Sequence, residues 1–109
     1  MTEVQTSEQQ QALMETGTIA LENGEIRQVE LCRGMVVHSQ EGNPVGHIAA
    51  VVMSDAREEV THILVVHQTQ QLHYRLLPVT LITSVTDSDI QLDMVQQALR
   101  LMPEWHATE

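Results

Sequence analysis

Six histidines in a chain of 109 residues are the first side chains to weigh, because imidazole serves both as a metal ligand and as an acid–base group near neutral pH. They are His38, His47, His62, His67, His73 and His106, and none stands two or four residues from another. His62 and His67 are five apart, so on one strand they face opposite sides. A metal site would have to be assembled across strands, with His47, His62 and His73 as candidate ligands. Such sites usually recruit carboxylates or cysteines as well, and the sequence clusters none beside these histidines. Solvated or hydrogen-bonded histidines are the preferred reading, and neither a metal nor another cofactor is expected.

Other chemistry is weaker still. Cys32, between Leu31 and Arg33, has no neighbouring base to activate it and reads as a small, half-buried hydrophobe. The carboxylate pairs Glu58-Glu59 and Asp87/Asp89 lie in polar turns, where solvation outweighs general acid–base work. Gly42-Asn43-Pro44-Val45-Gly46 lacks the lysine and the strand-to-helix setting of a phosphate loop. No nucleophilic elbow is present. No catalytic residue is assigned, and the chain is not expected to be an enzyme.

Charge narrows the partners. Fifteen acids stand against five arginines and no lysine, a net charge of -10. Such a chain repels phosphate backbones and anionic lipid, which argues against nucleic-acid and membrane partners. The N-terminus is polar and acidic, without the basic and apolar regions of a signal peptide, and no apolar run reaches a membrane-spanning length. The single cysteine cannot form an intramolecular disulfide, which fits a reducing cytoplasm. With 42% apolar residues the chain suits one globular domain, whose core must be aliphatic because there is no Phe and only Tyr74 and Trp105 are aromatic.

The elements that must position these residues are strands. Residues 1–17 are polar and predict a flexible arm, with a capping pair at Ser7 and Gln10 that could start a helical turn through Met14. Asn23-Gly24 between alternating segments predicts a hairpin of 18–22 and 25–31. Further strands are expected at 35–38, 45–53, 60–67, 72–77, 79–85 and 90–92, separated by turn-rich stretches. That spacing, with no helix between strands, predicts a mainly β fold, an antiparallel meander closed into a small barrel. Asp93 with Gln96, followed by apolar residues at helical spacing and stopped by Pro103, predicts a short α-helix over 94–102. The domain therefore runs over 18–104, with 105–109 as a tail.

Several segments carry a resemblance in order. Leu31-x-x-Gly34-x-Val36 and Glu41-Gly42-Asn43-Pro44-Val45-Gly46-x-Ile48 resemble the opening of a PRC-barrel domain. Val60–Val66, Leu77-Pro78-Val79 with Ile82–Val85, Asp89–Leu92 and Leu101-Met102-Pro103-Glu104 are similar to its later strands and tail. The resemblance spans about residues 29–104; Val79 replaces a bulkier residue usual there, and the family's basic surface residues are missing. It implies a compact β-barrel used for docking to a protein, with no catalytic residues to carry over. Independently, Gly42 suits a positive-φ turn position, Gly46 a close approach of backbones, and Pro78 a bulge or sheet edge, while Gly34 falls in the first turn.

Self-association is the remaining expectation. Over 45–53 both alternating faces are apolar, Ile48, Ala50 and Val52 on one and Ala49, Val51 and Met53 on the other, and a single helix covers only one stripe. Uncovered apolar area of that kind predicts a homodimer, with Val51, Met53, Met94, Leu99 and Met102 as interface candidates, the alternative being that the N-terminal hairpin covers the second face within one chain. The competing function is a small-ligand or metal-binding barrel that uses histidines at its mouth.

Overall fold

Runs of β-branched and aliphatic residues, punctuated by Gly, Pro and Asn, set the strand pattern. The computed structural model of the chain describes residues 11–23, 25–54, 56, 58–68 and 72–105, and within them it holds nine strands. These are β1 (Gln11–Met14), β2 (Thr16–Asn23), β3 (Glu25–Cys32), β4 (Val36–His38), β5 (Pro44–Ser54), β6 (Glu59–Gln68), β7 (Leu72–Pro78), β8 (Ile82–Val85) and β9 (Asp89–Leu92). Two 3-10 segments, Val79–Leu81 and Gln96–Leu101, complete the order. The fold is mainly β.

Seven strands form one sheet in the order β7-β6-β5-β4-β9-β8, with β1 beside the far half of β5. The long β5 serves two partners along one edge, β4 near Gly46–His47 and β1 from Val51 to Ser54, while β6 pairs along its other edge. The sheet curls into a half-barrel, and β2 with β3 forms a separate hairpin. Ile19, Leu21 and Leu31 from that hairpin join Val37, Ile48, Val51, Ile63, Leu77, Ile90 and Leu92 of the sheet in the main core. This core is entirely aliphatic apart from Met35, as the absence of Phe requires. Each fully buried Leu or Ile in it contributes roughly 1.5–3 kcal/mol of transfer free energy.

A second, smaller cluster occupies the other side of the same sheet. Ala50, Val52 and Leu64 are buried there against Ala49, Tyr74, Leu76 and Trp105. A bulge divides the two sides: the β5–β6 register shifts between Ile48 and Ala50. Ile48 and Val51 face the main core, while Ala50 and Val52 face outward. The simple alternation that groups Ile48 with Ala50 and Val52 therefore breaks at Ala49, because one extra residue inverts the facing of the later strand positions.

Other departures have local causes. The hairpin is present but longer than expected, pairing Thr16 with Cys32 at its open end. Gln11–Met14 is a strand along β5 rather than a helical turn or part of a flexible arm, and β2 already begins at Thr16; the capping pair itself and the tail beyond Trp105 lie outside the described residues. β4 and β9 pair in parallel, so the sheet is not a pure antiparallel meander. The expected strand at 79–85 starts only at Ile82, because Val79–Leu81 winds as a 3-10 turn after Pro78. The expected α-helix over 94–102 is a 3-10 helix over Gln96–Leu101. Asp93 N–H is held by the carbonyl of Leu81 and the Met94 carbonyl by Gln40 N–H, which fixes a bend at Asp93–Met94 and leaves Val95 extended. Pro103 then leaves too few residues to nucleate an α-helix, and bonds from Ala98 to Val95 and from Met102 to Leu99 close the tighter turns instead.

Candidate functional site

The hairpin of β6 and β7 places His67 opposite His73 and Val65 opposite Arg75. Val65 belongs to the main core, so strand alternation carries His67, His73 and Arg75 on the same concave side, at the end of the half-barrel. These side chains, with Val45 and Val65 below and Glu41, Gln96, Gln97, Leu99 and Arg100 around them, line a groove of about 650 Å³. Several of its polar groups are held in place by the backbone or by a neighbouring side chain. His67 Nδ1 lies 2.8 Å from the Val45 carbonyl oxygen and so donates to it, leaving Nε2 as the free ring nitrogen. Arg75 Nη1 donates to the Met102 carbonyl at 3.1 Å, and His73 Nδ1 sits 3.2 Å from Glu104 Oε2. Glu41 Oε1 accepts the Gln96 N–H at 2.9 Å, and that bond together with one to Ser39 holds the Glu41 carboxyl below its ordinary value. The carboxylate thus fastens the β4–β5 turn to the start of the 3-10 helix.

The outer side of the sheet has a groove of its own, of about 660 Å³, lined by Leu13, Met14, Ala49, Ala50, Leu64, Tyr74 and Trp105 among others. Its far wall is built by the returning chain. Leu76 N–H donates to the Pro103 carbonyl and Trp105 N–H to the Tyr74 carbonyl, so this segment runs along the free edge of β7. The Trp105 ring meets Tyr74 edge-on, with centroids 6.2 Å apart. Ala49 and Ala50 make the floor shallow because the bulge turns both small side chains outward. The exposed ion pair of Arg33 with Glu15 at the rim, 3.8 Å long, adds little stability.

The histidines named from sequence are not brought together. His47 stands opposite Val66 and His62 opposite Val52, both on the outer side, whereas His73 is on the concave side. Among the described residues, no group of three His, Cys, Asp or Glu side chains is placed to share a metal ion. His38 instead pairs with Asp89 at 3.2 Å, and His62 Nδ1 bonds the Thr61 hydroxyl at 2.9 Å. Gly34 follows β3, Gly42 has φ 92° in the β4–β5 turn, and Pro78 ends the edge strand β7. Of the interface candidates, Val51 is wholly buried in the main core, and Met94, Leu99 and Met102 pack half-buried against it; Met53 is half-buried on β5. Among the described residues, the exposed large apolar side chains are Leu13, Met14, Ile26, Val95 and Leu101.

Sequence reading missed His67 with Arg75 on the concave side, and Leu13 with Trp105 on the outer side. The first pair carried a signal: a hairpin centred on the Gln-rich turn sets 67 opposite 73 and 65 opposite 75. The second had none, since the tail's return to β7 is a tertiary event. Comparison of the chain with known proteins finds no matching family model and no matching curated protein.

Proposed function

We propose that the chain is a non-enzymatic docking module of the PRC-barrel type, acting in the cytoplasm. In this reading the half-barrel is completed into a small barrel by the hairpin and the C-terminal segment, and its outer groove is covered by a second copy of the chain. The observation that carries the proposal is the outer groove itself. Leu13 and Met14 stand at its rim 50% and 40% exposed, beside a shallow alanine floor and a Tyr74–Trp105 wall. Apolar side chains held open on a sheet face favour burial against another surface, and two-fold pairing is the commonest way to achieve it. The charge of -10 opposes association, but salt screens it beyond about 10 Å. The single Cys32, half-buried against the core, supports a reducing compartment.

Sedimentation equilibrium at micromolar concentration tests the reading. The expected result is the mass of two chains, reduced to one by Leu13→Glu combined with Met14→Glu while the far-ultraviolet circular dichroism is unchanged. A mass of one chain that does not rise with concentration overturns it.

A further inference from the structure

The concave groove brings two arginines together on a molecule that is otherwise strongly acidic. Arg75 and Arg100, two of only five arginines, both line it, although the chain has 15 acids available to pair with them. Among the described residues neither guanidinium has a carboxylate partner: Arg75 makes one bond to the Met102 carbonyl, and Arg100 stands exposed on the 3-10 helix. A guanidinium has five N–H donors, so a single bond to a carbonyl leaves most of the Arg75 fork unused. Glu41 also lines the groove, and the hydrogen bonds that lower its pKa keep it ionised, but its carboxylate is turned to the Gln96 N–H and that of Glu104 to His73, so neither pairs with either guanidinium. His67 adds a further polar atom, its Nε2, with the ring orientation fixed by the Val45 carbonyl. Beneath these groups the wall is apolar, formed by Val45, Val65 and Leu99.

A cluster of unpaired guanidiniums above an aliphatic floor is complementary to a molecule with an anionic head and an apolar body. We propose that this groove binds a small organic anion, whose phosphate or carboxylate is held between Arg75 and Arg100 and whose apolar part lies on Val45, Val65 and Leu99. The volume of about 650 Å³ lies within the range of small-molecule sites and exceeds what a bare inorganic ion fills. Two guanidiniums match a dianionic phosphate better than a single carboxylate charge. The groove lies on the opposite side of the sheet from the proposed docking face, so the inference stands independently of that reading.

The test is titration of the full chain with phenyl phosphate, followed by amide chemical shifts and by calorimetry, with phenol and inorganic phosphate as comparison probes. Saturable binding of phenyl phosphate is expected, with shifts concentrated at Val65, His67, His73, Arg75 and Leu99. Both comparison probes should bind at least about tenfold more weakly, since each lacks one half of the recognition. Arg100→Gln, on an exposed position that the fold does not need, should weaken binding about tenfold or more, the size of effect that loss of one charge-assisted contact produces. Arg27→Gln, on the exposed β3 strand of the hairpin, removes the same charge from elsewhere and should leave affinity unchanged. Absence of saturable binding overturns the proposal. So does equal affinity for phenol, or an Arg100→Gln effect no larger than that of Arg27→Gln.

Discussion

Gly46 of β5 lies so close to Val66 of β6 that a methyl group on its Cα would collide with the Val66 carbonyl oxygen and press on the Val65 side chain. A backbone atom cannot yield as a side chain can, so Gly46 is fixed by contact with the neighbouring strand. Gly42 differs in kind, since its φ of 92° strains any L side chain although nothing lies within 4 Å of a Cβ there. Replacing each by alanine separates the two causes. Gly46→Ala should cost on the order of 3 kcal/mol through forced strand displacement, and Gly42→Ala about 1 kcal/mol through backbone strain alone. Denaturant titration of both variants measures the difference, and equal losses would show that the strand contact is not the stronger constraint.

Trp105 closes the outer cluster through its edge-on contact with Tyr74 and its N–H bond to the Tyr74 carbonyl. The ring is half-buried, so Trp105→Ala should destabilise the fold by about 2 kcal/mol, less than the 3–5 kcal/mol usual for a wholly buried aromatic. Trp105→Phe should restore part of that loss. As the chain's only tryptophan, it also reports the event directly: wild-type fluorescence and far-ultraviolet circular dichroism should give coincident unfolding curves. Fluorescence changing well before the dichroism would mean that the segment frays apart from the sheet.

How far the fold is legible in the sequence depends on the range of the interactions that decide each part. The strands of β5, β6 and β7 derive from local β-branched runs and turn residues, and their expected limits lie within a residue or two of those observed. Facing along β5 does not, because the bulge at Ala49 is set by pairing with Leu64 and Val65 and leaves no mark in the local pattern. The segment after Asp93 has helical spacing, yet the ties of Asp93 to Leu81 and of Met94 to Gln40 override it. Gly17 is the clearest omission: its Cα faces Val51 and Val60, with a Cβ placed 2.7 Å from a methyl of each, and nothing about a Thr-Gly-Thr segment announces such crowding. The grooves are less legible than the strands for the same reason, since Arg75, Arg100 and Glu41 come from three elements brought together only by the tertiary fold.

Glu58 holds φ at 56° in the turn between β5 and β6, where its N–H donates to the Ser54 carbonyl at 2.7 Å. Adopting that region costs a residue with a Cβ roughly 1 kcal/mol, and the Glu58 side chain is exposed. Glu58→Gly should therefore raise stability by about 0.5 kcal/mol, the relief of strain exceeding the added entropy of the unfolded chain. A rise of a few degrees in the melting temperature is the expected readout, and a fall would place the turn in another conformation.

His62 gives the fold a defined response to acid. Burial on the outer side of the sheet pushes its imidazole below the usual histidine value, and its cross-strand neighbours Val52 and Pro78 carry no charge to offset that effect. In the unfolded chain the ring takes up a proton near pH 6.5, whereas the folded chain resists doing so. Between the two values the unfolded state binds more protons, so stability rises with pH across that window. The full contribution is present above about pH 7.5, begins to fall as pH drops through the unfolded value near 6.5, and levels off below the folded one. His62→Gln keeps a polar side chain able to bond the Thr61 hydroxyl but cannot titrate. The stability advantage of the wild type over this variant should therefore shrink from pH 7.5 to pH 5, measured by denaturant titration at each pH in constant salt. An advantage that stays constant over the same range would remove His62 as the source of the acid sensitivity.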